Sequence, residues 1–149
     1  MMTNESNAAV AAGHSFEDLE IGMEASFGKT ISAADIESFA DISGDRNPVH
    51  LDAEYAAGTM FKERIAHGIL TASLISAVIG TKLPGPGCIY LSQSLNFRAP
   101  VKIGDEVVAS VRVAELIEKR RRVVLACECK IGDDTVLDGE AVVVVPAQT

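Results

Sequence analysis

The stretch Gly68-Ile-Leu-Thr-Ala-Ser-Leu-Ile-Ser-Ala-Val-Ile-Gly-Thr81 decides the fold. It carries no charge and places apolar or small residues on every face, which is the composition of a helix wrapped on all sides. The uncharged run extends back to Ile65, but His67, Thr71, Ser73 and Ser76 interrupt it, and it falls short of the roughly 20 apolar residues of a membrane span. It therefore reads as a buried core helix. Leu83-Pro84-Gly85-Pro86-Gly87 stops it, and the pattern then changes to period two over residues 88–97, 106–117, 121–131 and 136–145, four long strands. The links at 100–105, 118–121 and 132–135 are short, which predicts that successive strands pair antiparallel as a meander. A lone helix inside a curled antiparallel sheet is an α+β architecture.

Upstream of the long helix the chain is organised by punctuation. Residues 1–14 are small and polar without period and read as a tail, leaving 15–149 as a single domain. A short strand is expected near 24–27. Ser32 and Asp35 have the form of a capping box ahead of Ile36, Phe39, Ala40 and Ile42, predicting a helix over 33–42 that Gly44 closes. The next residues, Asp45-Arg46-Asn47-Pro48-Val49-His50, are dense in turn formers and read as a rigid polar loop, followed by one short helix from Asp52.

Composition narrows the partners. With 149 residues, 48% hydrophobic and 23% charged, the chain is an ordinary globular domain. At that length roughly 68–70% of the unfolded surface is buried on folding, so neither disulfide nor structural metal is required. A formal charge of −8 opposes nucleic acid and anionic membranes. Cys88, Cys127 and Cys129 are odd in number and lack CxxC spacing, which fits a reducing cytoplasm, and no secretory signal opens the sequence.

Two segments carry candidate chemistry. Asp45 and His50, five positions apart on the polar loop, can share an acid–base task. A carboxylate near His50 would raise the proton affinity of the imidazole, and partial burial would raise that of Asp45, tuning both toward neutrality. By spacing alone the same two residues also serve as turn formers, Asp45 satisfying loop amides and His50 the backbone, and both readings stand here. In Ala66-His67-Gly68-Ile69-Leu70, Gly68 opens the buried helix, so its N–H is unpaired at the positive end of the dipole and open to a ligand carbonyl. Close helix–sheet packing would call for the same glycine. His67 reads as a capping or core residue and stays outside the catalytic set.

No metal is expected, since His14 lies in the tail and His50 and His67 have no further ligand at metal-site spacing. Phosphate-loop and dinucleotide signatures are absent, and Ser92 and Ser94 lack nucleophile-elbow glycines. Lys119-Arg120-Arg121-Arg122 reads as a solvated hairpin tip, with contact to ligand phosphates as its alternative; Arg98 and Lys102, flanking Pro100, are comparable anion contacts.

The run from Phe39 through Ser43-Gly44-Asp45-Arg46-Asn47-Pro48-Val49-His50, then Ala66-His67-Gly68-Ile69-Leu70, then Leu91 to Glu106 resembles the MaoC-like dehydratases, and most closely their short single-domain (R)-specific enoyl-CoA hydratases. The resemblance implies a hot-dog fold and a homodimer with active sites near the interface. It implies Asp45 and His50 as catalytic pair, Gly68 as oxyanion amide, and Ser43 and Asn47 in support. Hydration of a trans-2-enoyl-CoA to the (R)-3-hydroxyacyl-CoA would need no metal and no redox cofactor, coenzyme A entering as part of the substrate. An acyl chain laid along the long helix would reach Ser76 and Ile79. A hot-dog thioesterase and a non-catalytic acyl-thioester-binding subunit are the competing readings.

Overall fold

The computed structural model describes residues 12–147. Most of the expected tail thus lies outside the described residues. Its end does not: His14 N–H donates to the Pro84 carbonyl at 2.8 Å, and Gly13 lies so close to Pro86 that a side chain there would collide with its backbone.

After a 3-10 turn at Phe16–Asp18, strand β1 (Glu24–Thr30) leads into helix α1 (Ala33–Ser43). Short helices α2 (Pro48–Leu51) and α3 (Ala53–Ala57) precede the long helix α4 (Gly68–Thr81). Strands β2 (Ile89–Gln93), β3 (Asn96–Phe97), β4 (Glu106–Ile117), β5 (Arg122–Ile131) and β6 (Asp134–Val144) complete the chain. The architecture is α+β, a hot-dog fold in which one antiparallel sheet curls about α4.

Local chemistry sets the ends of α1 as expected. Ser32 Oγ accepts from the Asp35 N–H at 3.1 Å while Asp35 Oδ2 accepts from the Ser32 N–H at 2.9 Å, and Gly44 closes the helix at φ 80°. The polar loop after it departs from expectation, because Asn47 caps a helical turn: its side chain accepts from Val49 N–H and Pro48 occupies the first helical position, where its missing N–H costs nothing.

Two strand expectations are corrected. The segment 88–97 is not one strand but β2 and β3, interrupted at Ser94 and Leu95, where Ser94 N–H turns to the Glu140 carbonyl and Gly139 lets the two backbones touch. Nor is the sheet a simple meander. Its order is β1-β4-β5-β6-β2, with β3 also on β6, so only β4, β5 and β6 follow one another as neighbours. The short link after β3 has its hydrogen bonds elsewhere: Arg98 N–H bonds the Val136 carbonyl, Ala66 N–H the Val101 carbonyl and Gly104 N–H the Ile31 carbonyl. It crosses the end of the sheet instead of turning back on it, and β1 takes the place beside β4.

The inward faces of β4 (Val107, Ala109, Val111, Val113), β5 (Val123, Leu125, Cys127, Cys129) and β6 (Leu137, Ala141, Val143) form one core with Leu74, Ile75, Val78 and Ile79 of α4. Register shifts, with an extra residue in β2, β4 and β6, introduce the irregularities that let a sheet bend. The helix is not covered on every face, however. Ile69, Ser73, Ser76 and Gly80 form an exposed stripe, because a single sheet grips only one side of a cylinder.

Candidate active site

The site lies at the N-terminus of α4, where the link crossing the sheet end, β3 and the α2 turn meet. His50 is fixed from several directions. Its Nδ1 is 2.8 Å from the Ile65 carbonyl, its own carbonyl accepts from Arg64 Nε at 2.7 Å, and its ring is stacked on that of His67 with centroids 3.9 Å apart. A carbonyl can only accept, so Nδ1 carries the hydrogen, and in the neutral ring Nε2 keeps a free lone pair. Burial drives the His50 proton affinity below its ordinary value; the Ile65 carbonyl raises it, His67 lowers it and Asp45 raises it, each by less. The expected rise is thus reversed, since removing the ring from water outweighs the nearby carboxylate.

Asp45 stands on the exposed loop after α1. Ser43 Oγ donates to the Phe39 carbonyl at 2.6 Å and accepts from Asp45 N–H at 3.1 Å, while Asp45 Oδ1 accepts from Asn47 N–H at 3.2 Å. Ser43 and Asn47 therefore set the loop that presents the carboxylate. The turn-former reading of Asp45 and His50 holds, since each spends one side-chain polar atom on the backbone.

His67 missed inclusion in the sequence-derived set, since spacing along the chain says nothing of a contact 22 residues away. Its Nε2 donates to the Asp45 carbonyl at 2.9 Å, and its ring sits between His50 and Phe39, whose centroid is 4.8 Å away. A carboxylate oxygen of Asp45 and ring nitrogens of His50 and His67 fall within 4.8 Å of one another. These are groups that could hold a cation, but the rings are stacked with planes only 30° apart and His67 Nδ1 is enclosed. Drawing both lone pairs to one ion at the roughly 2.0–2.1 Å of imidazole ligation would unstack them. The arrangement suits a water better: two hydrogen bonds meeting at one water span up to about 5 Å.

Gly68 is the first residue of α4, so its N–H has no acceptor within the helix. The Phe97 ring of β3 lies directly over it, and a Cβ built on Gly68 would come within 2.6 Å of that ring. His50 and Gly68 open onto a cavity of about 580 Å³, lined by apolar groups such as Met60, Phe61, Ile69 and Phe97. Arg98 lines it too and pairs with Asp138 at 2.6 Å; Lys102 does not line it and pairs with Glu63 at 3.4 Å. Ser76 and Ile79 do not reach this cavity in the single chain: Ser76 faces outward on α4 and Ile79 is enclosed in the core. The basic run 119–122 forms the β4–β5 tip, at the strand ends remote from the cavity, since Arg122 pairs with Val144 whereas cavity-lining Leu137 pairs with Cys129.

Fold and site together define a hot-dog protein with an imidazole and a helix-terminal amide on one apolar cleft and a carboxylate close beside the imidazole. The chain belongs to the family of the MaoC-like domain, whose family model matches residues 17–131. It is 62% identical over 131 residues to a 3-hydroxybutyryl-CoA dehydratase of Methylorubrum extorquens, covering 88% of this chain and 83% of the relative. It is 52% identical over 135 residues to an (R)-specific enoyl-CoA hydratase of Rhodospirillum rubrum, covering 91% and 94%. Among solved structures, the unliganded R-hydratase PhaJ1 of Pseudomonas aeruginosa superposes with a TM-score of 0.86 at 48% identity, covering 91% of this chain and 88% of that one.

Proposed function

We propose that the protein is an enoyl-CoA hydratase, adding water to a trans-2-enoyl-CoA to give the (R)-3-hydroxyacyl-CoA, and catalysing the reverse dehydration. The observation that carries this reading is the Asp45 carboxylate and His50 ring nitrogen within 4.8 Å, beside a cavity that also opens on the Gly68 amide. A water held between Asp45 and His50 gives a proton to His50 Nε2 as its oxygen attacks C3. The pair returns a proton to C2 on the same face, and the Gly68 N–H stabilises the negative charge that builds on the thioester oxygen. One O–H bond and the C2–C3 π bond are broken, one C–O and one C–H bond are formed, and there is no net oxidation or reduction, so the chemistry calls for neither metal nor redox cofactor. Arg98 lines the cavity wall, which supports a part for it in meeting the coenzyme A portion.

The same reading includes a homodimer. Strand β2 lies at the sheet edge with Ile89, Tyr90 and Leu91 exposed, and α4 also leaves an exposed stripe. Two copies paired along β2 about a two-fold axis would continue the sheet. Three free thiols support a reducing, cytoplasmic setting. Among the described residues no helix is long and apolar enough to cross a membrane.

The test is consumption of crotonyl-CoA followed by loss of the enoyl absorbance, with free thiol assayed in parallel. Hydration predicts consumption without thiol release, and a fall of about two to four orders of magnitude for each of Asp45→Asn and His50→Ala. Thiol release would turn the reading to a thioesterase, and no consumption at all would remove it.

A further inference from the structure

His67 is left over by the mechanism, yet it is among the most enclosed polar side chains of the molecule, 2% exposed. It stands next to Gly68 in sequence, donates across 22 residues to the Asp45 carbonyl, and carries His50 on its ring face. The three groups of the site come from three separate segments: Asp45 from the loop after α1, His50 from α2, Gly68 from the start of α4. No covalent geometry links them at short range, and Asp45 is exposed, so packing alone does not hold its loop. One imidazole touches all three.

We propose that His67 is a positioning residue, whose Nε2–H tethers the Asp45 loop to the start of α4 while its ring face sets the orientation of His50. The inference deepens the hydratase reading and rests on it for its catalytic consequence, but its structural content stands separately. With Nε2 donating to a carbonyl, the neutral ring has no hydrogen on Nδ1. That fits the surroundings of Nδ1, which is enclosed and has no hydrogen-bond partner among the described residues. A hydrogen there would be stranded without an acceptor. Phe39 also packs against the ring, its centroid 4.8 Å away, and helps hold the tether in place. Apart from His67 itself, the charged groups facing His50 are Asp45 on the loop after α1 and Arg64 on the segment before α4, and Arg64 is in turn drawn toward Glu37 of α1 at 3.6 Å.

Two measurements test this on the full chain. With histidine labelled at both ring nitrogens, nitrogen–proton correlation spectra of the wild type should show His67 in the Nε2–H form and His50 in the Nδ1–H form at neutral pH. Finding His67 in the Nδ1–H form overturns the proposal whether or not the enzyme is active on crotonyl-CoA. Kinetically, His67→Leu removes both donor and ring, and kcat should fall about 10- to 100-fold with KM within threefold, the signature of misaligned groups and not of lost binding. His67→Gln places an amide N–H where Nε2 was and should recover most of that loss. Equal losses in the two variants, or a Leu variant within twofold of wild type, would sink the tether. Should the Leu variant not fold, the Gln variant and the spectra decide alone, a Gln kcat reduced as far as that of His50→Ala counting against it. Absence of any turnover by the wild type would instead remove the hydratase reading and leave the spectral result standing.

Discussion

His50 shows how burial and hydrogen bonding set a functional group. In the proposed mechanism the neutral ring takes a proton from water, and burial places its pKa below the ordinary 6.5. Activity should therefore persist as pH drops past 6.5 and fail only when the lowered value is reached. The acid limb of the pH profile of kcat/KM reads this directly, and a limb lying above 6.5 would rule out His50 as the base. Stability shares the sign: below 6.5 the unfolded chain binds a proton at this position more readily than the folded one, so the contribution of neutral His50 is whole above 6.5 and is lost as pH falls toward the lowered value. The sequence could nominate Asp45, His50 and Gly68 for the proposed site because a constrained loop and a helix-opening glycine leave marks over a few residues. His67 was not, since the bond that gives it a part reaches a carbonyl far away along the chain. The direction of the His50 shift was hidden for a related reason. A carboxylate neighbour can be read from spacing, whereas removal from water depends on everything packed around the ring.

Helix α4 was visible as an uncharged run with a glycine at its head, and its start is the element that couples fold to chemistry. Gly68 there answers both readings open at the sequence level, because the Phe97 ring packs on it and its N–H remains without an intrahelical acceptor. Gly68→Ala should leave the fold intact, as the Cβ meets only a half-exposed ring that can swing aside. It should lower kcat/KM by about 10²-fold, the displaced ring and new methyl group standing where a thioester oxygen must approach. A variant within threefold of wild type, measured beside its thermal midpoint, would show that the amide is not used. The strands show what period two conveys and what it omits. Alternation located β4, β5 and β6 to within two residues, since each has one face on the core. It could not reveal the break at Ser94, which comes from contact with Gly139, nor which strand lies beside which. Loop length alone suggested a meander. The link from β3 to β4 is short and still crosses, because its hydrogen bonds are claimed by Ala66, Ile31 and Val136.

At the scale of the molecule, the helix composition was read as covered on all sides, and the single chain covers only one. The apolar and small residues of its outer stripe, with the exposed edge of β2, are what a second copy would complete. A charge in the middle of that edge should separate the copies. Leu91→Asp is expected to run as a monomer near 15.7 kDa by light scattering, against a dimer for wild type, and a monomeric wild type would defeat the dimer reading. The order of elements has a consequence of another kind. During synthesis α4 leaves the ribosome before any residue of β4, β5 or β6 exists, although those strands supply most of the surface it buries against. The most apolar segment of the nascent chain must wait undocked until nearly all the rest has followed. A fold closed by its last strands gathers its long-range contacts late, so its acquisition is slow beside that of a helical bundle of equal size, and the interval is one in which a holdase has something to hold.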